Sequence, residues 1–222
     1  MKSVLITGAS SGLGKEFALL YSEKGYKIYA HGRSHSKLAT LQNKIESSGG
    51  QVQIITADLS DRDAASSIFA AVSDTDTVDI LINNAGVGYF GPLSTSTSAE
   101  LEEMVTTNVF APISLTKEFI TQYDQGKIVN IISTAGLRGK VNESLYVASK
   151  FALRGFAESM QKELASTNIS IVNAYMGGMD TPFWEGSDHI ADRSRLRSPR
   201  EVAQLIVERA ESELEIIIES KK

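Results

Sequence analysis

"VLITGASSGLG", residues 4–14, decides how the rest of the chain is read. A short apolar run, Val4 to Ile6, passes through Thr7 into a turn carrying Gly8, Gly12 and Gly14, and helical patterning follows over about 13–24. A strand that bends sharply into a helix needs glycine where the backbone turns or is closely approached. The helix N-terminus behind it presents free N–H groups to an anion. The spacing is G-x-x-x-G-x-G, not the G-x-G-x-x-G of the commonest dinucleotide fingerprint. Taken alone, such a turn is compatible with plain loop geometry. Directly after a first strand, it points to a nucleotide phosphate site.

Working outward, β-branched runs at 4–7, 27–31, 51–56, 78–84, 127–133, 169–175 and 214–219 alternate with helix-patterned segments near 13–24, 36–48, 62–73, 99–124, 144–166 and 199–212. That alternation predicts βαβ units. Nearly continuous apolar strands are those of a parallel sheet buried on both faces. The expected fold is therefore α/β: one Rossmann-type, doubly wound parallel sheet of about seven strands with helices on both faces, a single domain over 1–222. The least regular segment, about 177–198, carries Phe183 and Trp184 and follows the sixth strand. It reads as a substrate lid, since long βα loops at the carboxyl edge of such sheets cover ligands.

Composition narrows the class. The chain has 222 residues, no cysteine and a formal net charge of −5. The missing cysteines exclude a disulfide framework, a thiol nucleophile and a cysteine-ligated metal, and no metal is expected. No basic run suits a phosphate backbone, so nucleic acid is not an expected partner. No apolar stretch approaches the ~20 residues of a membrane span, and the N-terminal apolar run is too short for a signal peptide. A cytoplasmic protein without a membrane partner is expected.

Three further stretches fall at strand ends. "YAHGRSHSK" (29–37) has Arg33, Ser34 and Lys37 where an acid would bind the ribose 2′-hydroxyl of NAD. An arginine there accommodates the 2′-phosphate of NADP; a solvated basic turn is the other account. "TADLSD" places Asp58 and Leu59 after the third strand, and "INNAGVGYFGP" places Asn83, Asn84, Ala85 and Gly86 after the fourth. Asparagine-rich strand ends also serve as turn chemistry. Finally, "ESLYVASK" (143–150) sets Tyr146 and Lys150 one helical turn apart, a spacing that many unrelated helices share.

TGASSGLG, Asp58, NNAG, Asn108 in "TTNVFAP", Ser133 in "NIISTAG" and YVASK stand in the order and spacing of the short-chain dehydrogenase/reductases. The chain resembles that family over nearly its whole length. The resemblance implies an NADP(H)-dependent oxidoreductase interconverting a ketone or aldehyde and an alcohol. Tyr146 would give the proton, Lys150 would lower its pKa from near ~10, Ser133 would hydrogen-bond the carbonyl oxygen, and Asn108 would hold a relay water.

The same resemblance assigns coenzyme contacts to Gly8, Ser10, Ser11, Gly12, Leu13, Gly14, Arg33, Ser34, Asp58, Leu59, Asn84, Ala85, Gly86, Tyr146, Lys150, Met179 and Thr181. A mostly apolar substrate pocket would be bounded by Ser133, Val87, Tyr89, Phe90, Leu137, Val141, Phe183 and Trp184, with Arg138 and Lys140 nearby. Met176-Gly177-Gly178 departs from the family's usual Pro-Gly and is expected to loosen the nicotinamide segment. A homodimer or homotetramer is implied, built on the helices at 99–124 and 144–166. The tetramer is less secured, because the chain stops soon after "LEIIIESKK" where many relatives extend. A non-catalytic NADP-sensing regulator on the same fold is the alternative reading.

Overall fold

The computed structural model describes residues 1–72, 77–185, 189 and 192–221. Its elements run β1 (Ser3–Ile6), α1 (Gly12–Glu23), β2 (Lys27–Gly32), α2 (His35–Ser47), β3 (Val52–Thr56), α3 (Ala64–Ala70) and β4 (Ile80–Asn83). They continue through α4 (Ser98–Val105), α5 (Ala111–Gln122), β5 (Gln125–Ile131), α6 (Ser144–Glu163), β6 (Asn168–Met176), α7 (Pro199–Arg209) and β7 (Glu215–Ile218). The strands form one seven-stranded sheet in the order β3-β2-β1-β4-β5-β6-β7. Every pairing is parallel.

Strand periodicity sorts the core into two layers, because successive side chains point to opposite faces. Val4 and Ile6 of β1, Ile28 and Ala30 of β2 and Val172 of β6 pack with α1, α2 and α7. Leu5, Tyr29 and Ile171, one residue out of phase, pack with α3, α5 and α6. The chain leaves β1 toward one face and β4 toward the other, so a crevice opens between their carboxyl ends. This is the doubly wound α/β sheet that the alternating sequence predicts.

The expected helix at 99–124 is broken. α4 passes through a π-helical turn, Thr106–Phe110, before α5 begins. The Ala111 amide reaches back five residues to the Thr106 carbonyl, and Pro112 offers no amide to the Asn108 carbonyl four residues earlier. The helix expected over 62–73 starts only at Ala64, after a turn in which the Ala64 amide donates to the Asp61 carbonyl at 3.1 Å; residue 73 lies outside the described residues.

One row of buried amides crosses the sheet at register-paired positions. Asn83 Nδ2 donates to Asn130 Oδ1 at 2.9 Å, Asn130 Nδ2 to Asn173 Oδ1 at 3.2 Å, and Asn173 Nδ2 to Glu215 Oε1 at 2.9 Å. These residues are direct partners in the β4–β5, β5–β6 and β6–β7 ladders. Shifting any of these strands by one residue would turn its amide toward the opposite layer, so the row helps pin the register. Asn130→Leu leaves a donor on Asn83 and an acceptor on Asn173 unpaired. It is expected to cost about 1–3 kcal/mol per orphaned group, read as a lower urea midpoint at unchanged m; an unaltered midpoint would show that the row is dispensable.

Candidate active site

The crevice is a continuous cleft of ≈ 780 Å³ running from the β2 end to the segment after β6. Its floor is the glycine turn. Gly8 and Gly12 have φ of +67° and +52°, conformations that side chains rarely adopt. Gly14 packs so closely on the Gly8 carbonyl oxygen that a Cβ there has no room. Ser11 caps α1 with extended backbone but no side-chain hydrogen bond, and no acid sits in the first turn. By contrast, α4 carries a full capping box from Thr97 and Glu100. The first amides of α1 thus face the cleft uncapped, which is the arrangement a pyrophosphate needs. Arg33, Ser34 and Lys37 line one end of the same cleft, with Asp58 and Leu59 beside them. Backbone and hydroxyl hydrogen bonds from Ser60 hold the Asp58 carboxyl below the usual range, and Arg33 adds to the effect.

At the other end, Ser133, Tyr146 and Lys150 come together in the cleft wall. Ser133, two residues past β5, has φ of +132°, strained for a residue with a side chain. Its Oγ accepts from the Ala135 amide at 3.1 Å. Lys150 is buried; its Nζ donates to the Ile131 carbonyl at 3.2 Å and stands 5.6 Å from the centre of the Tyr146 ring. Burial pushes the Tyr146 phenol well above the ordinary tyrosine range, a hydrogen bond with Ser133 pulls it back, and the Glu143 carboxylate raises it further. Burial brings Lys150 down to about 8. Desolvation is the largest influence on the Tyr146 phenol.

Asn108 is buried but does not line the cleft. Its Oδ1 accepts from the Val87 amide at 2.9 Å, while Nδ2 donates to the Val87 carbonyl at 2.9 Å and to Ser149 Oγ at 3.1 Å. The side chain is a strut joining the β4 loop, the π-helical turn and α6.

Among the other expected residues, Gly8, Ser10, Ser11, Gly12, Leu13, Asn84, Ala85, Gly86, Val87, Met179, Thr181, Phe183 and Trp184 all line the cleft. Asn84 spends its Nδ2 on the Thr7 carbonyl at 2.8 Å and the Gly8 carbonyl at 3.4 Å.

Four expected pocket residues are not in the wall. Tyr89 turns away to hydrogen-bond Glu103. Leu137 packs against the cluster of Ile132, Leu153, Ala157 and Tyr175. Val141 is 85% exposed. Phe90 lies behind the wall, its ring 5.4 Å from Tyr146, 5.1 Å from Trp184 and 4.6 Å from His189. Of the nearby cations, Arg138 is taken up by a two-point contact with Glu219, while Lys140 lines the cleft.

The Gly177–Gly178 segment is braced, not loose. The Gly177 amide donates to the Ile218 carbonyl at 2.8 Å and the Gly178 amide to Ser220 Oγ at 3.2 Å. Trp184 Nε1 donates to the Met179 carbonyl at 3.0 Å. Residues 186–188 and 190–191 of the expected lid lie outside the described residues.

Among the wall residues that escaped the sequence reading, three stand out as buried or paired titratable groups. Glu143 is buried beside Tyr146, 2.8 Å from His189 Nε2 and 3.6 Å from Lys140 Nζ. Its one signal is its place three residues before Tyr146, at the N-cap of α6. His189 gives no local signal, since its partner is 46 residues away. The third, His31, is buried at the Arg33 end of the cleft, with Nε2 3.1 Å from the Ala57 carbonyl and Nδ1 without a partner.

A sequence model of the short chain dehydrogenase family matches residues 2–190. The chain belongs to that family. It is 32% identical over 221 residues to the uncharacterized oxidoreductase YxnA of Bacillus subtilis, covering 94% of this chain and 62% of that protein. It is also 32% identical over 184 residues to a 3-ketodihydrosphingosine reductase of Bacteroides thetaiotaomicron, covering 81% of this chain and 65% of that one. The chain thus spans less than two thirds of the length of either curated relative. The crystal structure of a short-chain dehydrogenase/reductase from Vibrio parahaemolyticus matches with a TM-score of 0.87 at 32% identity, covering 98% of this chain and 96% of that one. Among the described residues, no helix is long and apolar enough to cross a membrane.

For this member of the family, burial lowers His31 from 6.5 to about 4. The unfolded chain then binds a proton that the folded chain refuses, so stability falls as pH drops from 6.5 through 4. The expected loss is up to roughly 3 kcal/mol. His31→Gln keeps a donor for the Ala57 carbonyl and should flatten urea-measured stability across that window. Equal slopes in the two proteins would overturn the assignment.

Proposed function

We propose that the chain is an NADP(H)-dependent oxidoreductase that interconverts a ketone or aldehyde and an alcohol in the cytoplasm, as one catalytic domain with its lid at about 177–198. One observation carries the reading: Ser133, Tyr146 and buried Lys150 share a single cleft with an uncapped glycine-turn helix and the cations Arg33 and Lys37. The bound nicotinamide coenzyme supplies the hydride. The glycine turn fits its pyrophosphate, and Arg33 with Ser10 and Lys37 fits a 2′-phosphate.

In the reducing direction, the carbonyl oxygen accepts hydrogen bonds from Ser133 and Tyr146. As negative charge develops on that oxygen, the Tyr146 proton passes to it and yields the alcohol. The Tyr146 phenol is protonated at neutral pH and so carries the proton to be donated. The Lys150 ammonium then steadies the phenolate left behind. With the Asn108 amide occupied, we assign the relay water to the main-chain carbonyl of Asn108, which Pro112 deprives of an i+4 donor. Phe183 and Trp184 suit a substrate with an apolar part.

Tyr146→Phe is expected to abolish turnover of a carbonyl panel while NADPH still binds, and wild-type turnover should prefer NADPH to NADH. Tight NADPH binding with no turnover of any substrate by the wild type would favour the sensor reading instead. The retained Ser133, Tyr146 and Lys150 favour the enzyme.

We also propose a homo-oligomer built on α4, the π-helical turn and α6. Val105, Phe110 and Phe151 there are 46%, 42% and 41% exposed, more apolar surface than a lone subunit needs to show. Phe110→Asp combined with Phe151→Asp should shift light-scattering mass from dimer or tetramer to monomer. An unchanged mass would place the interface elsewhere.

A further inference from the structure

Arg33 does not stand alone at the coenzyme end. Its Nη1 lies 3.3 Å from Glu103 Oε1, across 70 residues of sequence. The other oxygen of that carboxylate accepts the Tyr89 hydroxyl proton. Glu103 therefore joins the end of β2, the loop after β4 and α4. Its side chain is 30% exposed against 62% for Arg33, and it sits behind the arginine instead of lining the cleft. The Tyr89 phenol is pushed up to about 12, first by its hydrogen bond to Glu103, with Glu100 adding to the rise and Arg33 opposing it.

We infer that Glu103 is a specificity-determining residue: a fixed carboxylate that offsets the charge of Arg33 and thereby limits how strongly the cleft selects a 2′-phosphorylated coenzyme. The inference rests on the reading of Arg33 as the 2′-phosphate contact. A 2′-phosphate brings nearly two negative charges to Arg33, while a 2′-hydroxyl brings none. A carboxylate one guanidinium away repels the first and is indifferent to the second. Were Glu103 free to swing into solvent, a phosphate would displace it at little cost, since an exposed ion pair is weak. The Tyr89 hydroxyl holds it in place, so the repulsion persists when Arg33 is occupied. The arginine contacts Glu103 through one terminal nitrogen, and a guanidinium carries five N–H donors in a fork, so a phosphate and the carboxylate can share it.

Glu103→Gln removes the charge and keeps an acceptor oxygen for Tyr89. Dissociation constants for NADPH and NADH are measured by coenzyme fluorescence on the wild type, Glu103→Gln and Arg33→Ser, with thermal unfolding as a check of the fold. The expected result is that Glu103→Gln binds NADPH about fivefold more tightly with NADH changed by less than about twofold, while Arg33→Ser loses the preference for NADPH. If the wild type prefers NADPH and Glu103→Gln leaves that ratio unchanged or lowers it, the inference falls and the Arg33 reading stands. If the wild type binds both coenzymes equally and Arg33→Ser alters neither, the Arg33 reading falls and the inference falls with it.

Discussion

The structure depends on how the chain satisfies its backbone where β1 and β4 part. Two neighbouring strands that send their chains to opposite faces leave amides and carbonyls beyond the end of the ladder, and each one buried unpaired costs about 1–3 kcal/mol. Thr7 and Asn84 absorb them. Thr7 Oγ1 donates to the Ile82 carbonyl at 3.2 Å and accepts the Asn84 and Ala85 amides at 3.0 Å each. Asn84 Nδ2 returns two bonds, to the carbonyls of Thr7 and Gly8. The closeness of Gly14 to that Gly8 carbonyl seats α1 directly on the knot. The crevice, its uncapped helix and the glycine turn are consequences of holding these two strand ends together.

From this fixed floor, strain and struts set the opposite wall. Ser133 and Asn142, the non-glycine residues with positive φ among those described, bracket the connection from β5 to α6. The Ser133 conformation costs on the order of 1–3 kcal/mol. It is held by the Ile132 amide on the Ala174 carbonyl at 2.8 Å and the Gly136 amide on the Ser133 carbonyl at 2.9 Å. Asn142 is paired by the Gly91 amide on its carbonyl at 2.8 Å. Asn108 completes the frame by reaching Ser149, next to Lys150. Serine sits in the turn after β5 and tyrosine and lysine share α6, and hydrogen bonds at Asn142 and Asn108 help tie that frame together.

What was legible in the sequence follows the range of the interaction. The glycine turn was readable because positive φ and close backbone approach are demands made within a few residues. Strand alternation was readable because burial on both faces acts on every residue of a run. Asn108 was visible as an anomaly in a helical stretch, but its side-chain partners Val87 and Ser149 were not. Pro112 stood in plain sight, yet the helix was read straight through it, because a π-helical turn lets the ladder skip the missing amide. Tyr89 and Leu137 were placed in the pocket wall by their position in a loop. Which way a loop side chain faces is decided by distant residues, Glu103 for one and Leu153 with Ala157 for the other. Glu143 and His189 are a pair only in three dimensions.

The same distinction explains the electrostatics. Sequence spacing treats Tyr146 and Lys150 as a charge pair that stabilises a phenolate, and in water that would hold. In the folded chain both are desolvated, which moves the tyrosine up and the lysine down, toward the neutral form of each. Around Tyr146 the covering groups include aromatic rings. Phe90 contacts Tyr146, Phe183, Trp184 and His189 in one aromatic cluster, and Trp184 is pinned through its indole nitrogen. An aromatic cover that looks like a specificity surface therefore also shields the Tyr146 ring from water. Withdrawing the phenol from water favours its neutral form, so these rings bear on the tyrosine's proton as well as on substrate fit.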